Sequence, residues 1–150
     1  MSNPMKGILL VEDDPSHVTL ALHAFKRGRV INPITVVRDG IEALDFLFAR
    51  GIYSERAGAP IPMIILDLKL PKLDGLGVLK AIRSDAMIQQ APVLILTSSQ
   101  EQEDLISSHS LGITKYLRKP VDSVEFIKAV ESLGAYWLMI DESPQRGVVP

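Results

Sequence analysis

Short apolar runs alternate along the chain with longer segments in which apolar residues recur at helical spacing. The runs that predict strands are Ile8–Val11, Ile34–Val37, Met63–Leu66, Val93–Leu96 and Tyr116–Leu117. The segments that predict helices are Pro15–Arg27, Ile41–Ala49, Leu76–Ser84, a serine-rich segment from about Ser99 to Gly112, and Ser123 to about Leu138. Continuous apolar runs are typical of strands that are buried on both faces. The alternation therefore predicts an α/β domain whose parallel sheet has helices on both faces.

The number of βα units indicates the order of the strands. Five units wound right-handedly favour a doubly wound, flavodoxin-like sheet with strand order 2-1-3-4-5. In that order the first and third strands are neighbours, and their carboxyl ends meet at the switch point where open α/β sheets bind ligands. Asp13 and Asp67 follow these two strands. We therefore expect them to lie together although they are far apart in the chain.

Composition narrows the class of protein. With 150 residues, 47% hydrophobic and 23% charged, the chain is typical of one globular domain. A formal net charge of −2 gives no electrostatic reason to expect nucleic acid as a partner. The absence of cysteine excludes disulfides, thiolate metal sites and cysteine nucleophiles, and it fits a reducing compartment. We found no signal-peptide pattern and no membrane-spanning apolar run, so we expect a cytoplasmic protein without membrane partners.

Polar residues collect at the carboxyl ends of the predicted strands. They are Glu12 and Asp13 after the first strand, Asp67 after the third, Thr97 after the fourth and Lys119 after the fifth. Clustered carboxylates repel one another unless a hard cation joins them, and Mg²⁺ is bound by one or two carboxylates, waters and phosphate oxygens. A hydroxyl and an ammonium group both suit phosphoryl oxygens.

Asp67 is the central residue of this set because a buried strand presents its carboxylate at the sheet edge. Turn chemistry is already supplied downstream by Pro71 and Asp74-Gly75, which leaves Asp67 without a structural role. A carboxylate of this kind is an established nucleophile in aspartyl-phosphate chemistry. The residues therefore predict Mg²⁺-dependent transfer of a phosphoryl group onto Asp67.

Four motifs resemble the receiver domain of bacterial two-component response regulators. ILLVEDDP, IILDLKLPKLDG, VLILTSS and YLRKP stand in the order and spacing of that family, and the likeness covers Lys6 to about Leu138. We expect a receiver domain over residues 6–140, with an N-terminal tail at 1–5 and a flexible C-terminal tail at 141–150. The chain departs from the common pattern at Ile113, where the family usually has a small residue.

The resemblance implies a metal set and a phosphorylation site. Asp13 would bind Mg²⁺ directly, and Glu12 would bind it through a water molecule. The backbone carbonyl of Lys69 would be a further ligand of the ion. Asp67 would bind the same ion and accept the phosphoryl group from the phosphohistidine of a sensor histidine kinase. In this interpretation the protein is a signalling phosphoacceptor and not an enzyme, apart from catalysing its own phosphorylation and dephosphorylation.

The resemblance also implies a switch. Thr97 and Lys119 would bind the phosphoryl oxygens, and Tyr116 would change orientation when Thr97 moves. The Lys119-Pro120 peptide bond is expected to be cis, which proline allows at small cost. Phosphorylation would change the surface made by the fourth helix, the last strand and the last helix, and partners would recognise that change.

The last helix carries more apolar residues than one face can hold. They are Val124, Phe126, Ile127, Ala129, Val130 and Leu133, followed by the run Tyr136–Ile140. Because an exposed apolar face of this size favours a protein contact, we expect a homodimer through the last strand and last helix, with Phe126 and Trp137 in the interface.

Features outside the motifs bear on output and partners. We expect no DNA-binding or catalytic output module, because the chain stops soon after the receiver. The long connection Arg50–Pro62 and the aromatic and aliphatic extension after the last helix resemble the single-domain regulators that partner bacterial phytochromes.

The residues are also compatible with two other functions. One is an Mg²⁺-dependent phosphohydrolase that works through an aspartyl phosphate, although such enzymes favour a second Asp two positions after the nucleophile, where this chain has Lys69. The other is a scaffold receiver that has lost phosphorylation, which the intact set of Asp13, Asp67, Thr97 and Lys119 argues against.

Several polar residues have structural interpretations instead. Asp14 is expected to cap the first helix, Asp74 to serve a turn, and Ser123 to cap the last helix. The three histidines, His17, His23 and His109, lack partners at ligand spacing, so we assign them surface or core roles.

Overall fold

The structure, a computed structural model, describes residues 7–111 and 115–133. Its strands are β1 Ile8–Val11, β2 Ile34–Val37, β3 Met63–Asp67, β4 Val93–Thr97 and β5 Lys115–Arg118. Its α-helices are α1 Pro15–Arg27, α2 Gly40–Leu47, α3 Gly75–Ser84, α4 Gln100–Ser108 and α5 Ser123–Leu133. The predicted extension of the last helix, the departure at Ile113 and the run Tyr136–Ile140 lie outside the described residues.

The strands form one parallel sheet in the order β2-β1-β3-β4-β5, which confirms the predicted order. The register aligns the strand ends. Val11 pairs with Leu66, so Glu12 and Asp67 follow at the same level. Thr97 pairs with Arg118, so Lys119 follows directly after β5 at the same edge. The polar residues that were predicted at the strand tips therefore share one edge of the sheet.

Helices cover both faces of the sheet, as predicted. One core cluster packs alternate residues of β1, β3 and β4 against α2, α3 and α4, with Phe46, Val78 and Ile106 among its buried side chains. The opposite cluster packs the other strand residues against α1 and α5. Because both faces are covered, the central strands β1, β3 and β4 are buried and apolar, and a polar side chain occurs only at the last residue of β3 and of β4.

Short polar side chains start the helices. Each accepts a hydrogen bond from a backbone N–H in the first turn. The acceptors are Asp14, Asp39, Asp74, Ser99 and Asp122. The prediction for Asp14 is confirmed. Two expectations were wrong in detail, since Asp74 caps α3 by accepting from the Gly77 N–H, and Asp122, not Ser123, accepts from the Glu125 N–H.

The long connection before β3 contains a 3₁₀ helix, Gly51–Arg56. Tyr53 packs edge to face on Phe46, with ring centroids 5.1 Å apart, and its hydroxyl donates to Glu42 at 2.6 Å. Burial and this contact with Glu42 raise the pKa of Tyr53 to about 12. The connection is thus anchored to α2. No helix in the described part of the chain combines the length and the apolar character that crossing a membrane requires.

Phe126 does not belong to an exposed face, and its expected place in a dimer interface was wrong. Its side chain is 1% exposed and packs edge to face on Phe25, with ring centroids 5.2 Å apart. On this side α5 packs against α1. Phe126 is therefore a core residue that joins these two helices.

We expect Phe126→Ala to lower the free energy of unfolding by about 3–5 kcal/mol, because it removes a buried ring and leaves a cavity. Leu20→Ala, at a 57% exposed position on the neighbouring helix α1, is the control and should change it by less than about 0.5 kcal/mol. Urea denaturation followed by circular dichroism measures both. Equal effects of the two substitutions would contradict the core assignment.

Candidate functional site

Three carboxylates meet at the carboxyl edge of the sheet. Glu12, Asp13 and Asp67 each offer one oxygen, and these atoms all lie within 4.8 Å of one another. Glu12 is 1% exposed and Asp67 6% exposed, whereas Asp13 is exposed. Asp13 and Asp67 were expected to lie close together because β1 and β3 are neighbours, and the structure confirms this.

The Lys119 ammonium lies between the two buried acids. Its Nζ donates to Asp67 Oδ2 at 2.8 Å and to Glu12 Oε1 at 2.9 Å. The Lys119 side chain is 15% exposed. The lysine that follows β5 thus reaches across β4 to the tips of β3 and β1, where it balances part of a charge that would otherwise be buried and uncompensated.

The cluster shifts the pKa values of two of its members. Burial is the main cause of the raised pKa of Glu12, and the nearby Asp67 adds to it, while the hydrogen bond from Lys119 works in the opposite direction. For Lys119, burial disfavours the charge, but the hydrogen bonds to Asp67 and Glu12 outweigh it, so that its pKa is raised. The ammonium is therefore charged at neutral pH.

A glycine lets the loop after β3 close over the Asp67 tip. A Cβ on Gly75 would lie 2.6 Å from the Asp67 carbonyl oxygen, and the Gly75 N–H donates to Leu68 at 2.9 Å. Only glycine fits such an approach without displacing the backbone. The Lys69 N–H then donates to Asp67 Oδ1 at 3.2 Å, and Lys69 lines an open cleft together with Asp13.

Thr97 ends β4 beside the acids but its hydroxyl points elsewhere. The side chain is fully buried, and Oγ1 donates to Glu103 Oε2 on α4 at 3.1 Å. The Thr97 carbonyl accepts from the Lys119 N–H at 2.8 Å, which ties the two residues together through the backbone.

Tyr116 lies on β5 facing α4. It is partly buried against the core cluster of α2, α3 and α4, and its hydroxyl is 3.2 Å from Ser107 Oγ. The Lys119-Pro120 peptide bond is cis, as expected. The structure thus places both predicted switch residues, Thr97 and Tyr116, in contact with the same helix.

His17 belongs to the site, although a surface or core role was expected for it. Its Nδ1 is 2.8 Å from Lys119 Nζ and 3.6 Å from Glu12 Oε1. Because an ammonium group only donates, Nδ1 is the acceptor in this contact. The sequence did contain a signal for this role. His17 lies in the first turn of α1, shortly after Glu12 and Asp13, and that turn faces the sheet edge.

The donor set of the site fits a divalent cation. All three side chains offer carboxylate oxygens, the ligands that Mg²⁺ and Mn²⁺ prefer. Carboxylates that lie this close together repel one another unless positive charge joins them. Lys119 supplies one positive charge for the three acids, which leaves the cluster negative and open towards the cleft at Asp13.

Comparisons with known proteins agree with this geometry. The response regulator receiver domain family matches residues 8–131. Response regulator Rcp1 of Synechocystis sp. is 36% identical over 91% of this chain and 92% of its own length. A structure of Rcp1 in its Mn²⁺-bound form has a TM-score of 0.72 at 34% identity and covers 93% of this chain and 99% of that one.

Two further solved structures are named as phytochrome response regulators. The bacteriophytochrome response regulator RtBRR is 43% identical, with a TM-score of 0.84, covering 94% of this chain and 85% of its own. The phosphorylated cyanobacterial phytochrome response regulator RcpA is 34% identical, with a TM-score of 0.71, covering 89% of this chain and 94% of its own. With a family match over most of its length, the chain belongs to the response regulator receiver domains.

Proposed function

We propose that Asp67 receives a phosphoryl group from the phosphohistidine of a sensor histidine kinase. The observation that supports this most strongly is the contact of Lys119 Nζ with Asp67 Oδ2 at 2.8 Å, inside a cluster that also holds Glu12 and Asp13. A buried carboxylate that accepts a hydrogen bond from an ammonium group is fixed in orientation, as a nucleophile must be.

The transfer is a displacement at phosphorus. A carboxylate oxygen of Asp67 attacks, the P–N bond to the donor's imidazole breaks, and that nitrogen keeps the electron pair. Lys119 already donates to Asp67 and would bind a phosphoryl oxygen in the product, where the negative charge increases. The Thr97 hydroxyl, on the neighbouring strand, would donate to another oxygen of the group.

We propose Mg²⁺ as the metal of this site. Glu12, Asp13, Asp67 and the carbonyl of Lys69 would hold it, in agreement with the oxygen donors that the strand tips gather. When bound, the ion supplies positive charge that offsets the charge of the acids and of the phosphoryl oxygens. The Mn²⁺-bound form of the relative Rcp1 supports a divalent cation.

The names of the relatives suggest the kinase. RtBRR and RcpA are phytochrome response regulators, so we propose a phytochrome-type histidine kinase as the phosphoryl donor, in a cytoplasmic phosphorelay. Output would pass through α4, β5 and α5, since Thr97 and Tyr116 both contact α4. A phosphohydrolase is less well supported, because the exposed Lys69 stands where such enzymes need an acid or base.

Asp67→Asn should abolish labelling by radioactive acetyl phosphate in the presence of Mg²⁺, because an amide is not a nucleophile under these conditions. Asp74→Asn is the control, since asparagine also caps a helix and the cap of α3 lies in the same loop. Chelation of Mg²⁺ should prevent labelling of the unchanged protein. Gel autoradiography and mass spectrometry measure the incorporation.

Two outcomes of this labelling experiment would contradict the proposal. Label that enters Asp67→Asn as fast as the unchanged protein would place the acceptor elsewhere. Rapid release of phosphate over many turnovers, with no lasting label on the chain, would favour the phosphohydrolase.

We also propose a homodimer through the surface of α4, β5 and α5. Apolar side chains are exposed there, with Leu105 at 51% and Val124 at 57%. Val124→Asp should shift sedimentation from dimer to monomer, because it would place a charge in the apolar interface. Ile52→Asp, at an 87% exposed position on the 3₁₀ helix, is the control and should leave the mass unchanged. An unchanged sedimentation coefficient for Val124→Asp contradicts the dimer.

A further inference from the structure

In the first turn of α4, the carboxylate of Glu103 accepts a hydrogen bond from the Thr97 hydroxyl, the group that would bind a phosphoryl oxygen in the proposed function. Thr97 Oγ1 donates to Glu103 Oε2 at 3.1 Å. The Thr97 side chain is fully buried, and that of Glu103 is 20% exposed. The contact is therefore largely shielded from water and is charge-assisted, which makes it stronger than a bond between neutral groups.

Glu103 is held in this position by β5. Arg118 donates to the same oxygen, Glu103 Oε2, from Nη2 at 2.9 Å and from Nε at 3.3 Å. Arg118 Nη2 also donates to Gln100 Oε1 at 3.1 Å. Since Arg118 is the strand partner of Thr97 and directly precedes Lys119, these bonds tie together the tip of β4, the first turn of α4 and the end of β5.

The Thr97 hydroxyl carries a single proton, so it can donate only one strong hydrogen bond at a time. In the structure that bond goes to Glu103. In the phosphorylated protein, as proposed above, it must go to a phosphoryl oxygen on Asp67. The two arrangements exclude each other, and the Thr97 to Glu103 bond has to break before the switch is complete.

We propose that Glu103, held by Arg118, is a positioning residue that restrains Thr97 in the unphosphorylated state and opposes activation. This inference rests on the proposed phosphoryl acceptance at Asp67. Glu103 stabilises only the state in which Thr97 is turned away, so its removal shifts the equilibrium towards the activated state. Activation also frees Glu103 and Arg118 to rearrange on the α4 and β5 surface.

The experiment uses beryllofluoride with Mg²⁺ as a stable mimic of the phosphoryl group, and ¹⁹F NMR of the bound species to obtain the half-saturating concentration. Glu103→Ala should lower this concentration by about two- to tenfold, the range expected when one hydrogen bond that competes with binding is removed. Glu101→Ala is the matched control, because it removes the same charge from an exposed position in the same turn.

Two further variants separate a role through Thr97 from a general effect on the fold. Glu103→Gln keeps an oxygen that can accept from Thr97 but loses the charge, so its half-saturating concentration should lie between those of the unchanged protein and Glu103→Ala. In a Thr97→Val background, Glu103→Ala should have no effect, since the hydroxyl that Glu103 restrains is gone.

The outcomes distinguish this inference from the function on which it rests. If the unchanged protein fails to bind beryllofluoride, or Asp67→Asn binds it equally, the proposed function fails. If binding depends on Asp67 but Glu103→Ala behaves like Glu101→Ala, the restraint by Glu103 is overturned. It is also overturned if the effect of Glu103→Ala persists in the Thr97→Val background.

Discussion

The contact between the Lys119 ammonium and the buried carboxylates of Glu12 and Asp67 is the interaction on which the rest of the site depends. At distances of 2.8 and 2.9 Å it balances charges that an apolar sheet could not otherwise hold. It leaves the cluster short of positive charge, because Asp13 adds a third carboxylate. That remaining imbalance is what makes the edge of the sheet suited to a cation and to a phosphoryl group.

The parallel sheet sets the positions of these groups. The register brings the carboxyl ends of β1, β3, β4 and β5 to the same edge of the sheet, so that residues far apart in the chain become neighbours. Because both faces of the sheet are covered, the strand tips are the places where polar chemistry can reach solvent. The same register places Arg118 beside Thr97, and it thereby links the phosphoryl site to the first turn of α4.

The strand order and the polar residues at the strand tips could be predicted from the sequence. The first follows from the alternation of strand and helix patterns, and the second from the common edge at which parallel strands end. Sequence reasoning missed the contacts of His17, although the place of this residue in the first turn of α1 was a signal, and it missed those of Glu103, because both depend on how the helices are rotated against the sheet. It misplaced Phe126 because counting apolar residues on α5 does not reveal that α1 covers its second face. The cap at Asp74 was taken for a turn residue, since aspartate serves both roles.

Paramagnetic broadening by Mn²⁺ tests the central claim most directly, because it locates a cation pocket without requiring phosphorylation. Substoichiometric Mn²⁺ added to ¹⁵N-labelled protein should first remove the amide signals of Asp13, Asp67 and Lys69. The amide signals of Ile8, Ile34 and Met63, at the opposite end of the sheet, should remain. Broadening that is centred on another acidic segment, such as Glu101 to Asp104, or that spreads evenly over the protein, would contradict the account.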